Sequence, residues 1–119
     1  MSLRREPPLR RLKGPALREY APTFAALGDE TRLHLVAAMC VGGTMSITQL
    51  TAGTAITRQA VTRHLQILAD AGLVRDVKLG RERLWALEPT RLEQARHSLD
   101  MIAQQWDHAL MRLKATLEQ

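Results

Sequence analysis

Apolar residues recur at steps of three and four along most of this chain, and that rhythm breaks only once, between Leu73 and Leu87. A three-to-four step is the signature of a helix with one buried face. The first such segment runs from Pro22 to Leu27, with Phe24 and Leu27 on one side, after a turn beginning at Pro15; Gly28 ends it. Asp29 is then an N-cap, Glu30 suits the positive helix end, and Leu33, Val36, Met39 and Cys40 step toward Gly42-Gly43. Ser46 and Gln49 form an S-x-x-Q capping box at the head of a short helix through Leu50 and Thr51, stopped by Gly53. After a turn of Thr54, Ala55 and Ile56, Thr57 caps a longer helix in which Val61, Leu65 and Leu68 share a face, closed by Gly72. Short helix, turn and longer helix predict a helix-turn-helix.

Where the rhythm breaks, Leu73, Val77 and Leu84 to Leu87 flank Gly80-Arg81, and two strands joined by a basic turn fit that run. Helical spacing then resumes. Thr90 and Glu93 read as a T-x-x-E capping box after Pro89, and Leu92, Ala95, Leu99, Ile102, Trp106, Ala109/Leu110, Leu113 and Leu117 form a stripe to the end of the chain. Such a helix is on the order of 40 Å long, longer than a small domain is wide. Part of its stripe therefore needs another chain. The expected fold is mainly α with a small β-hairpin: a winged helix-turn-helix with a long C-terminal dimerisation helix. Residues 1–14 form a separate basic arm, and 15–119 form the domain, its dimerisation helices at about 15–27 and 90–118.

Length and composition narrow the functions this fold can serve. A chain of 119 residues holds one core, and 45% hydrophobic with 24% charged residues is ordinary for a soluble globular protein. Only Trp85, Trp106, Tyr20 and Phe24 are aromatic, too few for a base-stacking platform of the kind that holds single strands. The lone Cys40 permits no intramolecular disulfide; on the apolar side of its helix it reads as a small buried thiol. Reducing cytoplasm is the expected compartment, since there is neither a signal sequence nor a run of about 18 apolar residues.

The net charge of +5 is concentrated in two places. Residues 1–14 carry Arg4, Arg5, Arg10, Arg11 and Lys13 against Glu6 alone. Residues 56–87 carry Arg58, Arg63, Arg75, Lys78, Arg81 and Arg83 against Asp70, Asp76 and Glu82. Two basic zones separated by near-neutral stretches are the layout of a polyanion binder. The arm, with Pro7, Pro8, Gly14 and Pro15, reads equally as a solvated tail or as a flexible arm lying along phosphates or in a minor groove.

Reading duplex DNA takes a helix that fits the major groove, with donors near its N-terminal end and flanking groups to hold phosphates. Arg58, Gln59, Thr62 and Arg63 point outward from the face opposite Val61 and Leu65. Arginine suits guanine O6 and N7, glutamine suits adenine N6 and N7, and a threonine methyl suits the thymine methyl. These four are the expected base readers. Ser46, Thr57, His64, Lys78, Arg81 and Arg83 are the expected phosphate and wing contacts. Phe24, Leu92, Leu99, Ile102, Trp106, Leu110 and Leu113 are the expected dimer interface, although Trp106 reads as well as a core residue of one subunit.

The order Ala26-Leu27-Gly28-Asp29-Glu30-Thr31-Arg32, Gln59-Ala60-Val61-Thr62-Arg63-His64-Leu65 with Leu68, Ala71-Gly72-Leu73-Val74, and Gly80-Arg81 before Trp85 and Leu87 resembles the ArsR family of bacterial winged-helix repressors. The resemblance spans about residues 21–117. It departs at Glu30, where the family usually has proline, and at Trp85, where tyrosine is commoner. It implies a homodimer, paired through the first and last helices, that binds an imperfect palindrome in double-stranded DNA and blocks transcription.

Many members of that family release DNA on binding a metal. At the C-x-C positions they use, this chain has Ser46 and Thr48, and hydroxyls are poor substitutes for thiolates. His97 and His108 keep the His-to-His spacing of the family's second site, but Ala95 and Met111 stand at the remaining ligand positions, and counting from the wing places the first ligands near Pro89 and Arg91. No metal site or other cofactor is expected, and the effector is unknown. No glycine-rich phosphate loop, nucleophile elbow or H-E-x-x-H motif is present, so no enzyme is expected. A winged helix that docks protein, or a regulator of another winged-helix family, would share the fold. A protein-docking version would carry apolar residues at 58, 59, 62 and 63, where this chain has Arg, Gln, Thr and Arg.

Overall fold

The computed structural model describes residues 17–118; the basic arm predicted at 1–14 lies outside them. Five helices and three strands follow in the order α1 (Leu17–Leu27), α2 (Glu30–Gly42), β1 (Met45–Ser46), α3 (Ile47–Ala52), α4 (Arg58–Asp70), β2 (Val74–Leu79), β3 (Glu82–Leu87) and α5 (Pro89–Leu117). The strands form one antiparallel sheet in the order β1-β3-β2, and α3 with α4 is the helix-turn-helix. The predicted winged helix-turn-helix with a long last helix is the fold of the chain.

Caps set most of the boundaries as the sequence predicts. The Asp29 carboxylate accepts the Arg32 amide at 3.0 Å, Thr57 Oγ1 accepts that of Ala60 at 3.1 Å, and Ser46 with Gln49 closes the capping box through bonds of 3.2 and 2.9 Å. Each satisfies amides that the first turn of a helix leaves unpaired. Gly72 leaves α4 with φ +78°, and Gly80 begins the wing turn with φ +64° while Arg81 keeps a negative φ. That sign pattern is a type II′ hairpin turn, whose twist matches the flanking strands. It locks the register, with Leu79 opposite Glu82 and Lys78 opposite Arg83.

Four expectations need correction. The first helix begins no later than Leu17 and runs through Pro22, which sits inside it and not at its head. The bond a proline forfeits is to the residue four back, here Arg18 in the first described turn, and Tyr20, Thr23 and Ala26 bury the inner face regardless. On α2 the core arc is Leu35, Val36 and Met39; Leu33 and Cys40 lie on its flank and are exposed. The arc is rotated toward Leu35, so Cys40 is not a buried thiol. Helix α5 starts at Pro89 with Glu88 at the cap and no side-chain capping bond, so Thr90 and Glu93 form no box; Glu93 instead pairs with Arg96 at 2.8 Å. The helix starts at Pro89, a favoured first helical residue, so Thr90 falls inside the first turn and not at the cap. Strand β1 was not foreseen, because two residues are too short to alternate.

The core gathers Leu35, Met39, Leu50, Val61, Leu65, Leu68, Leu73, Val74 and Trp85, one contribution or more from each of α2, α3, α4 and the sheet. This places α4 on a firm bed. Its Val61, Leu65 and Leu68 face inward, which turns Arg58, Gln59, Thr62 and Arg63 to solvent. Helix α5 meets this domain along its first turns: Leu92 packs on the core, Ala95 and Ser98 are buried, and Arg91 lies over the Tyr20 ring of α1 at 5.4 Å. From Ile102 onward every described residue is exposed, Trp106 by 66%, so this tryptophan is not a core residue of its own subunit.

Candidate nucleic-acid interface

The head of α4, the head of α3 and the wing enclose one open cleft. Arg58 lines it from α4, Ser46, Thr48 and Gln49 from α3 and its cap, and Arg81 and Arg83 from the wing. Three guanidinium groups from two elements, α4 and the wing, thus converge, although residues 58 and 83 are far apart in sequence. Next to it a smaller hollow is lined by Ile47, Arg58, Thr62, Arg83 and Trp85, so the α4 face and the wing are continuous. Gln59 and Arg63 continue the exposed α4 face.

Local bonds fix several of these groups. Thr62 donates its hydroxyl to the Arg58 carbonyl at 3.0 Å, leaving its methyl as the group without a bonding commitment. Arg83 pairs with Asp76 at 2.8 Å through Nη2 and 3.0 Å through Nε, and lies 5.7 Å from the centre of the Trp85 ring. Its guanidinium is aimed but partly neutralised. Lys78 and Arg81 are exposed at the wing's outer end. Ser46 and Thr57 serve as caps; a capping oxygen accepts, so the hydroxyl hydrogen remains for another acceptor.

His64 is not brought to this face. Its Nδ1 lies 3.3 Å from Arg32 Nη1 and 3.8 Å from Asp29 Oδ2, at the head of α2. The sequence marks Asp29 as a cap and gives Arg32 no role of its own. The signal was the tetrad from Asp29 to Arg32, one turn in which cap, amide and guanidinium share a side. The Arg32 amide bond, then the charges of Arg32 and His64, hold the Asp29 carboxyl below its ordinary value of 3.8 in spite of the opposing effect of desolvation. A depressed carboxyl stabilises the fold above its unfolded value and loses that contribution as pH falls through the folded value. Denaturant melts should therefore show the wild type losing more stability than Asp29→Asn on acidification below about pH 4. Parallel losses would mean that the carboxylate adds nothing beyond what an amide cap supplies.

His34 is exposed, its Nε2 lying 3.2 Å from the Gly53 carbonyl at the end of α3. His97 and His108 are exposed on α5. Eleven residues along a helix separate them by about 16 Å, too far to share an ion within one chain. Among the described residues no three His, Cys, Asp or Glu side chains are grouped to hold a metal ion, and no helix is long and apolar enough to cross a membrane.

Known proteins resemble this chain in sequence and in fold. A family model described as a helix-turn-helix domain matches residues 27–77, from the end of α1 into the first wing strand. The HTH-type transcriptional regulator Rv2034 of Mycobacterium tuberculosis is 35% identical over 87 residues, covering 73% of this chain and 78% of that protein. The arsenical resistance operon repressor of Bacillus subtilis is 36% identical over 62 residues, 52% of this chain and 59% of the repressor. Among solved structures, an ArsR-like transcriptional regulator from Rhodococcus sp. RHA1 superposes with a TM-score of 0.68 at 34% identity, covering 83% of this chain and 92% of that one. These relatives are regulators of transcription and not enzymes. Sequence, fold and relatives agree: the chain belongs to the ArsR family of winged helix-turn-helix transcriptional regulators and carries a DNA-binding helix-turn-helix domain.

Proposed function

We propose that this regulator is a homodimeric repressor that reads an imperfect palindrome with α4 and grips the flanking phosphates with the wing. The observation that carries this reading is the convergence of Arg58 with Arg81 and Arg83 around one cleft, beside an exposed α4 face of Gln59, Thr62 and Arg63. Arg58 and Arg63 offer forks for guanine, Gln59 an amide for adenine, and Thr62 a methyl for thymine. Lys78, Arg81 and Arg83, with the hydroxyls of Ser46 and Thr57, hold phosphates. The bare stripe Leu99, Ile102, Trp106, Leu110 and Leu113 pairs two copies, as the exposure of every described residue from 102 onward favours. A twofold axis there sets two α4 helices about 34 Å apart, one turn of DNA. Phe24 and Leu92, half-buried in the subunit, contribute at the edge of that interface. Repression follows from occupying a promoter, the role carried in the name of the related arsenical resistance operon repressor.

The test uses duplexes selected by the wild-type protein from a random-sequence pool, with a shuffled duplex of equal length as control. Arg63→Ala should weaken the selected duplex by about 1–3 kcal/mol and the shuffled one far less. Arg81→Ala should weaken both alike and flatten the salt dependence. Failure to enrich any sequence would refute specific reading, and equal losses for Arg63→Ala on both duplexes would remove that residue from the readers.

A further inference from the structure

Arg32 touches three helices at once. Its Nε donates to the Ala26 carbonyl in the last turn of α1 at 2.7 Å, its backbone amide caps α2 on Asp29, and its Nη1 reaches Nδ1 of His64 on α4 at 3.3 Å. The side chain is only 16% exposed, and His64 adjoins Arg63 on the helix that faces DNA. A guanidinium has no lone pair to offer, so the Arg32 to His64 bond exists only while Nδ1 is an acceptor, that is, while the imidazole is neutral with its hydrogen on Nε2. The same Nδ1 is 3.8 Å from Asp29 Oδ2, beyond hydrogen-bond length but within reach of a small ring rotation. Among the described residues the charged groups facing the ring are Arg32 and Asp29; α1 contributes through the Ala26 carbonyl that Arg32 holds.

We infer that Arg32 and neutral His64 are positioning residues that set the roll of α4 against the α1–α2 corner, so that protonation of His64 weakens discrimination between DNA sequences. A protonated ring repels Arg32 and swings its new Nδ1 hydrogen toward Asp29. The bond to α1 through Arg32 is thereby cut from α4. Arg63, the next residue, then meets base edges from a shifted helix, and bidentate contacts tolerate little shift. Phosphate contacts from the wing are unaffected, because Lys78, Arg81 and Arg83 belong to a different element. The consequence is a loss of sequence preference on acidification with the general attraction to DNA kept or increased.

This rests on the reading of α4 as the base-reading helix, and the experiment separates the two. Affinities for the selected and shuffled duplexes are measured at about pH 7.5 and about pH 5.5, either side of the usual histidine range, for wild type, His64→Ala, His64→Asn and Arg63→Ala. The ratio of the two affinities is the readout, since an added positive charge raises both alike. Asparagine places a carbonyl oxygen where Nδ1 stands and accepts from Arg32 at either pH. In wild type the ratio should fall about three- to tenfold on acidification, in His64→Asn by less than about twofold, and in His64→Ala it should be low at both pH values. His34, His97 and His108 are present in all four proteins, so the difference between wild type and His64→Asn isolates one ring. Thermal melts at both pH values establish that each variant is folded. If His64→Asn follows the wild-type pH profile, or folded His64→Ala keeps the wild-type ratio, the inference fails while Arg63→Ala still reports reading by α4. If Arg63→Ala leaves the ratio intact, Arg63 is not among the readers and the inference, which acts through it, falls with it.

Discussion

Glutamate at both Trp106 and Leu110 should turn the proposed dimer into a folded monomer and weaken its grip on the selected two-half-site duplex by about 10²- to 10⁴-fold. The two side chains are 66% and 47% exposed, one helical turn apart on α5, and lie in the stretch where every described residue is exposed. Leu99, Ile102, Leu113 and Leu117, exposed by between 40% and 75%, extend the same stripe. An apolar stripe of this length left in water is costly, and burying it against a second copy recovers about 25 cal/mol for each Å² removed from solvent. Two buried carboxylates facing their symmetry mates would reverse that gain. The loss on DNA follows because the second half-site is bound at an effective concentration in the millimolar range only while the two domains are joined. Light scattering reports the dissociation, circular dichroism the retained helix, and titration the affinity. A double variant that stays dimeric would move the interface to another surface, with α1 the first place to look.

Much of this arrangement is legible in the sequence because the signals are local. A cap is a bond across three residues, so Asp29, Ser46 and Thr57 announce α2, α3 and α4 by themselves, and Gly80 announces the hairpin through the positive φ that glycine adopts without strain. Helix spacing likewise fixes the outward face of α4 once Val61 and Leu65 are assigned inward. The failures are of another kind. Pro22 inside α1 is a case where burial of Tyr20, Thr23 and Ala26 outweighs one forfeited hydrogen bond. Cys40 was misplaced because an α2 arc containing Val36 and Met39 can be centred toward Leu35 or toward Cys40, and only the neighbours decide. The link from Arg32 to His64 joins residues 32 apart in sequence, and the pairing of Arg83 with Asp76 depends on a hairpin register. Contacts between elements have no periodicity of their own. The site was therefore readable as a set of side chains on one helix, while the convergence of Arg58 with Arg81 and Arg83 required the fold.

Leu65→Ala should lower the unfolding free energy by about 2–5 kcal/mol, a large part of the 5–15 kcal/mol that holds a typical domain together. Leu65 is fully buried at the middle of α4, in a cluster that includes Leu35, Leu50, Leu68 and Trp85. Truncation removes three carbons and leaves a cavity that rigid neighbours from α2, α3 and the sheet close only in part. For a domain of this size the midpoint of thermal unfolding should fall by roughly 10–20 °C. Chemical denaturation with an unchanged slope is the cleaner measurement, because it shows that stability alone has changed. On the opposite face of the same helix, Gln59→Ala touches no core residue and should stay within about 0.5 kcal/mol of wild type. The DNA experiment gives the converse pattern: at a temperature where it remains folded, Leu65→Ala should keep most of its preference for the selected duplex, and Gln59→Ala should lose part of it. A Leu65→Ala protein as stable as wild type would mean that α4 does not rest on this core. The exposed face would then have no fixed direction in which to present Arg58, Gln59, Thr62 and Arg63.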